Sequence, residues 1–155
     1  MRDWFTRRIA GTAALDRVHF LDPIRQRDLV ALYQSCAVFV LPSLNDVYPN
    51  AVLEAMACAR PCVVSNTVGV AELVQESSCG TVVPAGDASA LAHALSEILA
   101  LPVHIREEMG IRGRRIVERT CSRDFIARQT VEAYREVVAA HSPVRRPGDQ
   151  AAMQK

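Results

Sequence analysis

Three short apolar runs, each bounded by a turn signal and separated by helix-period segments, constrain this chain more than any other feature. They are residues 37–41 (AVFVL), stopped by Pro42 and Ser43; residues 62–65 (CVVS), just after Pro61; and residues 80–84 (GTVVP). Runs this short, with no polar alternation, fit strands buried on both faces, and such strands separated by helices form a parallel sheet. Between and around them the helical signals are specific. Residues 25–36 carry Leu29, Leu32, Tyr33 and Cys36 at i, i+3, i+4 and i+7. Pro49 is a favoured first helical residue and opens a helix to about Ala59, ahead of Pro61. A short helix follows Gly69 through Glu72 and Val74. Asp87 is an N-cap candidate for a helix with Leu91, Leu95 and Ile98, and Ser122 would cap the last of two amphipathic helices, 103–119 and 123–140. Residues 3–14 read as a weak helix and 18–20 (VHF) as a short strand. The expected fold class is α/β, a Rossmann-like parallel sheet with helices on both faces. It spans residues 1–141, and the polar, Pro/Gly-bearing tail 142–155 is expected to be disordered.

Composition narrows the functions open to such a domain. The length of 155 residues suits one domain, and the hydrophobic half of the composition suffices for a core. Net charge is +1, acids and bases are interspersed, and no basic stripe of a nucleic-acid binder is present. Arginine outnumbers lysine 17 to 1, which reads as genomic base composition rather than phosphate binding. Cys36, Cys58, Cys62, Cys79 and Cys121 are odd in number and fit no zinc spacing. Most lie in apolar stretches, where a thiol behaves as a small hydrophobe, so a reducing, cytoplasmic setting is expected. The first residues, MRDWFTRRIAG, do not form a signal peptide, and no run approaches the roughly 20 apolar residues of a membrane span.

In parallel sheets ligands bind at the carboxyl ends of strands, beside helix N-termini. That singles out loops 42–50 and 65–70. Glu54 is the only charge in the run NAVLEAMACA. A carboxylate buried there is costly unless paired or hydrogen-bonded. Asp46 lies eight residues earlier, in the loop. Two carboxylates at one rim would suit the hydroxyls of a sugar or ribose, and the amides of residues 49–52, among which Pro49 has no N–H to give, would favour an anion. On the residues alone a second reading stands: Glu54 caps backbone or pairs with Arg60, and Asp46 is a solvated turn residue.

The segment PSLNDVYPNAVLEAMACARPCVVSNTVGVAELV resembles the signature region of retaining, GT-B-fold glycosyltransferases of family 4. Pro42-Ser43, Asp46, Glu54, Ala55-Met56-Ala57 and Pro61-Cys62-Val63-Val64 stand where that family has Pro-Ser, a glutamate, a second glutamate after seven intervening residues, Ala-Met-Ala and a Pro-Val-Val strand. The upstream VHFLDPIRQRDLVALYQSCAVFVLPS is similar too, so the likeness covers roughly residues 12–100. It implies that Glu54 binds ribose hydroxyls and that Asp46, the catalytic candidate, holds hydroxyls of the donor sugar. It implies that backbone around Tyr48, Pro49, Asn50 and Ala51 cradles sugar and phosphate, and that residues 21–24 touch the base. Glu72 is a cap or a ligand. Asp46 is one methylene shorter than the usual glutamate, Asp22 and Ala59 stand where glycine is common, and Val70 replaces half of a Gly-Gly pair.

The family's donor domain begins with two further strands and a phosphate-binding Arg and Lys. The matched region begins after them, so the chain is expected to hold part of a donor domain, the C-terminal half of a GT-B fold, and none of the acceptor domain. Its sheet is expected to be incomplete, with VHF either pairing with AVFVL or left unpaired. The resemblance implies a nucleotide-sugar donor and no cofactor; no Asp-x-Asp motif occurs, so phosphate charge is expected to be met by amides and bases rather than by a bound metal. Expected partners are that donor, an unidentified acceptor, and a complementary N-terminal half or a second copy. A non-catalytic truncated remnant and a small α/β interaction module are the alternatives. A receiver-like module would need an acidic cluster at strand ends, which VHF, AVFVL and CVVS do not supply.

Overall fold

In the computed structural model, which describes residues 2–141, the three apolar runs become one parallel sheet. Its strands are β1 (Phe39–Leu41), β2 (Cys62–Ser65) and β3 (Gly80–Val83), in spatial order β1-β2-β3. Val40 stands opposite Val63, and Val63 opposite Thr81. All four residues of β2 are buried. Successive strand side chains leave opposite faces. Cys62 and Val64 enter a core with Val52, Met56, Val74, Cys79 and Val117, whereas Val63 enters a second core with Val83, Ala94 and Ile98. Two-sided burial is why CVVS shows no polar alternation.

The helices are α1 (Arg2–Ile9), α2 (Gln26–Ser35), α3 (Asn50–Ala57), α4 (Ala71–Glu76), α5 (Ala88–Ala100), α6 (Val103–Thr120) and α7 (Arg123–His141). α3, α4 and α6 supply the first core and α5 the second, so both sheet faces are covered. α6 comes close because it presents glycine: a Cβ on Gly110 would lie 1.9 Å from the Ala59 carbonyl oxygen, and one on Gly113 would lie 2.8 Å from Cys79 Cβ. The caps read from sequence are present. Asp87 Oδ1 accepts the Ala90 N–H at 2.9 Å, and Ser122 Oγ accepts the Phe125 N–H at 3.2 Å. All five cysteines are free, with Cys62 and Cys79 buried. Among the described residues no single helix is long and apolar enough to cross a membrane.

Several boundaries differ from the sequence expectation, for identifiable reasons. Residues 18–20 form no strand. Among the described residues they join no ladder, and Phe20 meets Phe5, ring centroids 6.4 Å apart. Among the described residues β1 therefore has a strand on one side only. β1 starts at Phe39 rather than 37. The Phe39 N–H bonds the Pro61 carbonyl at 2.8 Å, and Pro61 has no N–H to extend the ladder backwards. α1 ends at Ile9, two residues before Gly11 takes φ +77°. Pro49 caps α3 with ψ 111°, and Asn50 is the first helical residue. α3 stops at Ala57, and Ala59 adopts φ 55°, the left-handed turn that glycine would make more cheaply. The tail 142–155 lies outside the described residues.

Candidate functional site

The two loops singled out by the sequence are clipped to each other at the carboxyl edge of the sheet. The Gly69 N–H donates to the Asp46 carbonyl at 2.9 Å, and the Asp46 N–H points to the Thr67 carbonyl at 3.5 Å. The hydroxyls of Ser65 and Thr67 both donate to the Ser43 carbonyl, the latter at 3.0 Å. A Cβ on Gly69 would lie 1.8 Å from the Val47 carbonyl oxygen, so only glycine lets the loops close this far. The neighbouring Val70, φ −101°, meets no such restriction, which explains why the chain does without a second glycine there.

Asp46 sits on this clip, half-buried. Tyr48 is 52% exposed, and its hydroxyl lies 3.5 Å from Cys121 Sγ. That contact, then partial burial, pushes the Tyr48 phenol up. Pro49 is buried, Asn50 exposed and Ala51 half-buried. The Val52 N–H is taken by the Pro49 carbonyl at 3.2 Å, so the amides left to meet an anion at the start of α3 are those of Asn50 and Ala51. Glu72 is exposed in the first turn of α4, where an acid suits the helix dipole.

Glu54 occupies the second turn of α3, half-buried. Its two oxygens are served separately from α2. The Tyr33 hydroxyl donates to Oε2 at 3.0 Å, and Gln26 Nε2 donates to Oε1 at 3.3 Å. Burial first, then this bond to the carboxylate, pushes the Tyr33 phenol up to about 12. The Tyr33 ring stacks edge-on against Phe39, centroids 5.7 Å apart. Arg60 plays no part in this cluster: its Nε donates to the Cys58 carbonyl at 3.1 Å and its Nη1 to the Cys36 carbonyl at 3.3 Å. The carboxylate is thus held by two neutral donors. Tyr33 and Gln26 were not identified as site residues from sequence. The available signal was the Tyr33 hydroxyl itself, which needs a partner on an otherwise apolar helix face.

A separate cavity of about 180 Å³ lies at the carboxyl ends of the strands, lined by Pro42, Ser65, Pro84, Asp87 and Leu91 among others. None of Asp46, Tyr48, Pro49, Asn50, Ala51 or Glu54 lines it. Among the described residues no group of three or more His, Cys, Asp or Glu side chains is placed to hold a metal ion.

A parallel sheet covered on both faces, with clipped loops at its carboxyl edge, defines a Rossmann-like domain. The solved structure of sucrose-phosphate synthase from Thermosynechococcus elongatus superposes with a TM-score of 0.80 at 32% identity, over 90% of this chain and 35% of that one. WaaG, a glycosyltransferase involved in lipopolysaccharide biosynthesis, shares the fold at a TM-score of 0.67 and 19% identity, over 81% of this chain and 32% of that one. The domain is therefore of the type found in GT-B glycosyltransferases. In sequence, the D-inositol 3-phosphate glycosyltransferase of Salinispora tropica is 33% identical over 132 residues, which are 85% of this chain and 27% of that protein. The family model for glycosyl transferases group 1 matches residues 1–101. The chain belongs to the group 1 glycosyltransferases. It spans about a third or less of the length of these relatives.

Proposed function

We propose that these residues form the donor-binding part of a glycosyltransferase that moves a sugar from a nucleotide-sugar to an acceptor with retention at the anomeric carbon. One observation carries the reading. The Glu54 carboxylate is held by neutral donors beside the loop edge where Rossmann-like sheets take their ligands. A carboxylate so placed accepts hydrogen bonds from a ribose diol. In this reading Asp46 holds hydroxyls of the donor sugar and is the acid nearest the chemistry. Tyr48, Pro49, Asn50 and Ala51 shape the loop around the phosphates, with the amides of Asn50 and Ala51 and the α3 dipole offsetting charge on the leaving phosphate. The reading invokes no cofactor and no bound metal. A reducing, cytoplasmic setting accords with the five free thiols.

Transfer also needs an acceptor aligned against the donor, and the reading assigns that role to a second body, a complementary half or another copy. Support comes from α7, which buries none of its residues and leaves Ile126, Val131, Tyr134, Val137 and Val138 exposed.

The ribose assignment is tested by comparing UDP, GDP and ADP with their 2′,3′-dideoxy analogues by calorimetric titration. The dideoxy forms bind more weakly to the wild-type chain and no more weakly to Glu54→Gln. Equal binding of both forms by the wild type overturns the assignment.

A further inference from the structure

We propose that Tyr33 and Gln26 divide the Glu54 carboxylate between them: Tyr33 is a positioning residue that fixes Oε2, and Gln26 holds Oε1 in the place a ribose hydroxyl takes. The proposal rests on the reading of Glu54 as the ribose ligand. The two contacts differ in the way such a division requires. Tyr33 is half-buried, its ring packs on Phe39, and its bond to Oε2 is the shorter, 3.0 Å against 3.3 Å. Its placement is set by the core, so it holds the carboxylate in one rotamer. Gln26 is the first residue of α2, exposed, and reaches Glu54 through a flexible side chain.

The donor chemistry matches as well. A carboxylate oxygen has two lone-pair sites, so Oε2 keeps acceptor capacity after bonding Tyr33, and Oε1 is fully available once Gln26 leaves. The Gln26 N–H is a neutral donor, as a ribose O–H is, and an exchange of one for the other keeps the count of hydrogen bonds on Oε1. A vicinal diol then meets a carboxylate already oriented by Tyr33. The high phenol pKa of Tyr33 keeps that donor protonated throughout the neutral range.

Calorimetric titration of the full 155-residue chain with UDP and GDP tests the division. Tyr33→Phe retains the ring that packs on Phe39 and removes one hydrogen bond to a charged acceptor, so it weakens the tighter-binding nucleotide about 10-fold. Gln26→Ala removes a competitor at an exposed site and tightens binding roughly 2- to 5-fold. In a Glu54→Gln background both effects vanish, because each acts through Glu54, whereas a general structural role would add to the loss. The side-chain amide signal of Gln26 moves on nucleotide addition in the wild type, and this readout needs no variant at Tyr33. A wild-type Tyr33→Phe affinity, a Gln26→Ala loss, additivity with Glu54→Gln, or an unmoved Gln26 amide overturns the division while leaving the ribose reading intact. Failure of the wild-type chain to bind either nucleotide overturns both.

Discussion

At the scale of single residues, the two carboxylates of the site are fixed by different means, and their substitutions separate. Glu54 is placed by α3 and by two donors from α2, while Asp46 is placed through its backbone on a loop. Glu54→Gln weakens free nucleotide and nucleotide-sugar alike, by about 10-fold or more, since hydrogen bonds to a charged group contribute about 1.5–3 kcal/mol. Asp46→Asn weakens only the nucleotide-sugar. Equal losses of free nucleotide in both variants, measured by calorimetry, would contradict these roles. Gly69→Ala drives the added Cβ into the Val47 carbonyl, which cannot rotate away, so the loops must part. Nucleotide-sugar affinity falls further than thermal stability does, a comparison that one titration and one melt supply. Glu54 was legible in the sequence as the lone charge in an apolar run. Its partners were not, because Tyr33 and Gln26 sit 21 and 28 residues away and on a helix whose period marks Tyr33 as an apolar contact. Ala59 was legible only through the resemblance: its left-handed φ explains why glycine is common at that position.

At the scale of elements, strand existence was legible from apolar runs and strand limits were not. Nothing within AVFVL says that its first two residues lie outside the ladder. That follows from Pro61 across the sheet, which has no N–H to give. VHF has the composition of a strand, but a strand exists only with a partner, and none of the described strands lies beside it. The starts of α5 and α7 were legible because their caps, Asp87 and Ser122, are local. Asp87→Ala removes a side-chain acceptor from the start of α5 and costs about 1 kcal/mol in chemical denaturation. Gly110→Ala costs more, about 1–3 kcal/mol or beyond, because the clash is with the Ala59 backbone rather than a mobile side chain. A Gly110→Ala midpoint equal to wild type would show that α6 does not pack against the end of α3 as described. The tight fit of α6 was not legible, since a glycine inside a helical period reads as a weak point rather than a contact.

For the whole molecule, the α/β class was legible from the apolar runs and helix periods, and the family from the resemblance carried by Asp46, Glu54 and the Ala-Met-Ala run. The donor assignment implies a limit on chemistry. Positioning of reactants can supply roughly 7–11 kcal/mol of barrier lowering, and a group that stabilises developing charge about 3 kcal/mol. In the proposed reading the described residues offer Asp46, Glu54 and two amides toward the donor, and the acceptor side is assigned to a second body. By itself the 155-residue chain releases no nucleotide from a panel of nucleotide-sugars and acceptors above the Glu54→Gln background; turnover above it would show that the acceptor side is built within this chain. The central claim, that the carboxyl edge around Glu54 binds the nucleotide, is tested most directly by following backbone amide resonances while nucleoside diphosphate is added. The shifts are predicted to concentrate at residues 46–54 and 67–70, with Asn50, Ala51 and Glu54 foremost. Shifts confined to the cavity wall around Pro84, Asp87 and Leu91, or no shifts at all, would contradict it.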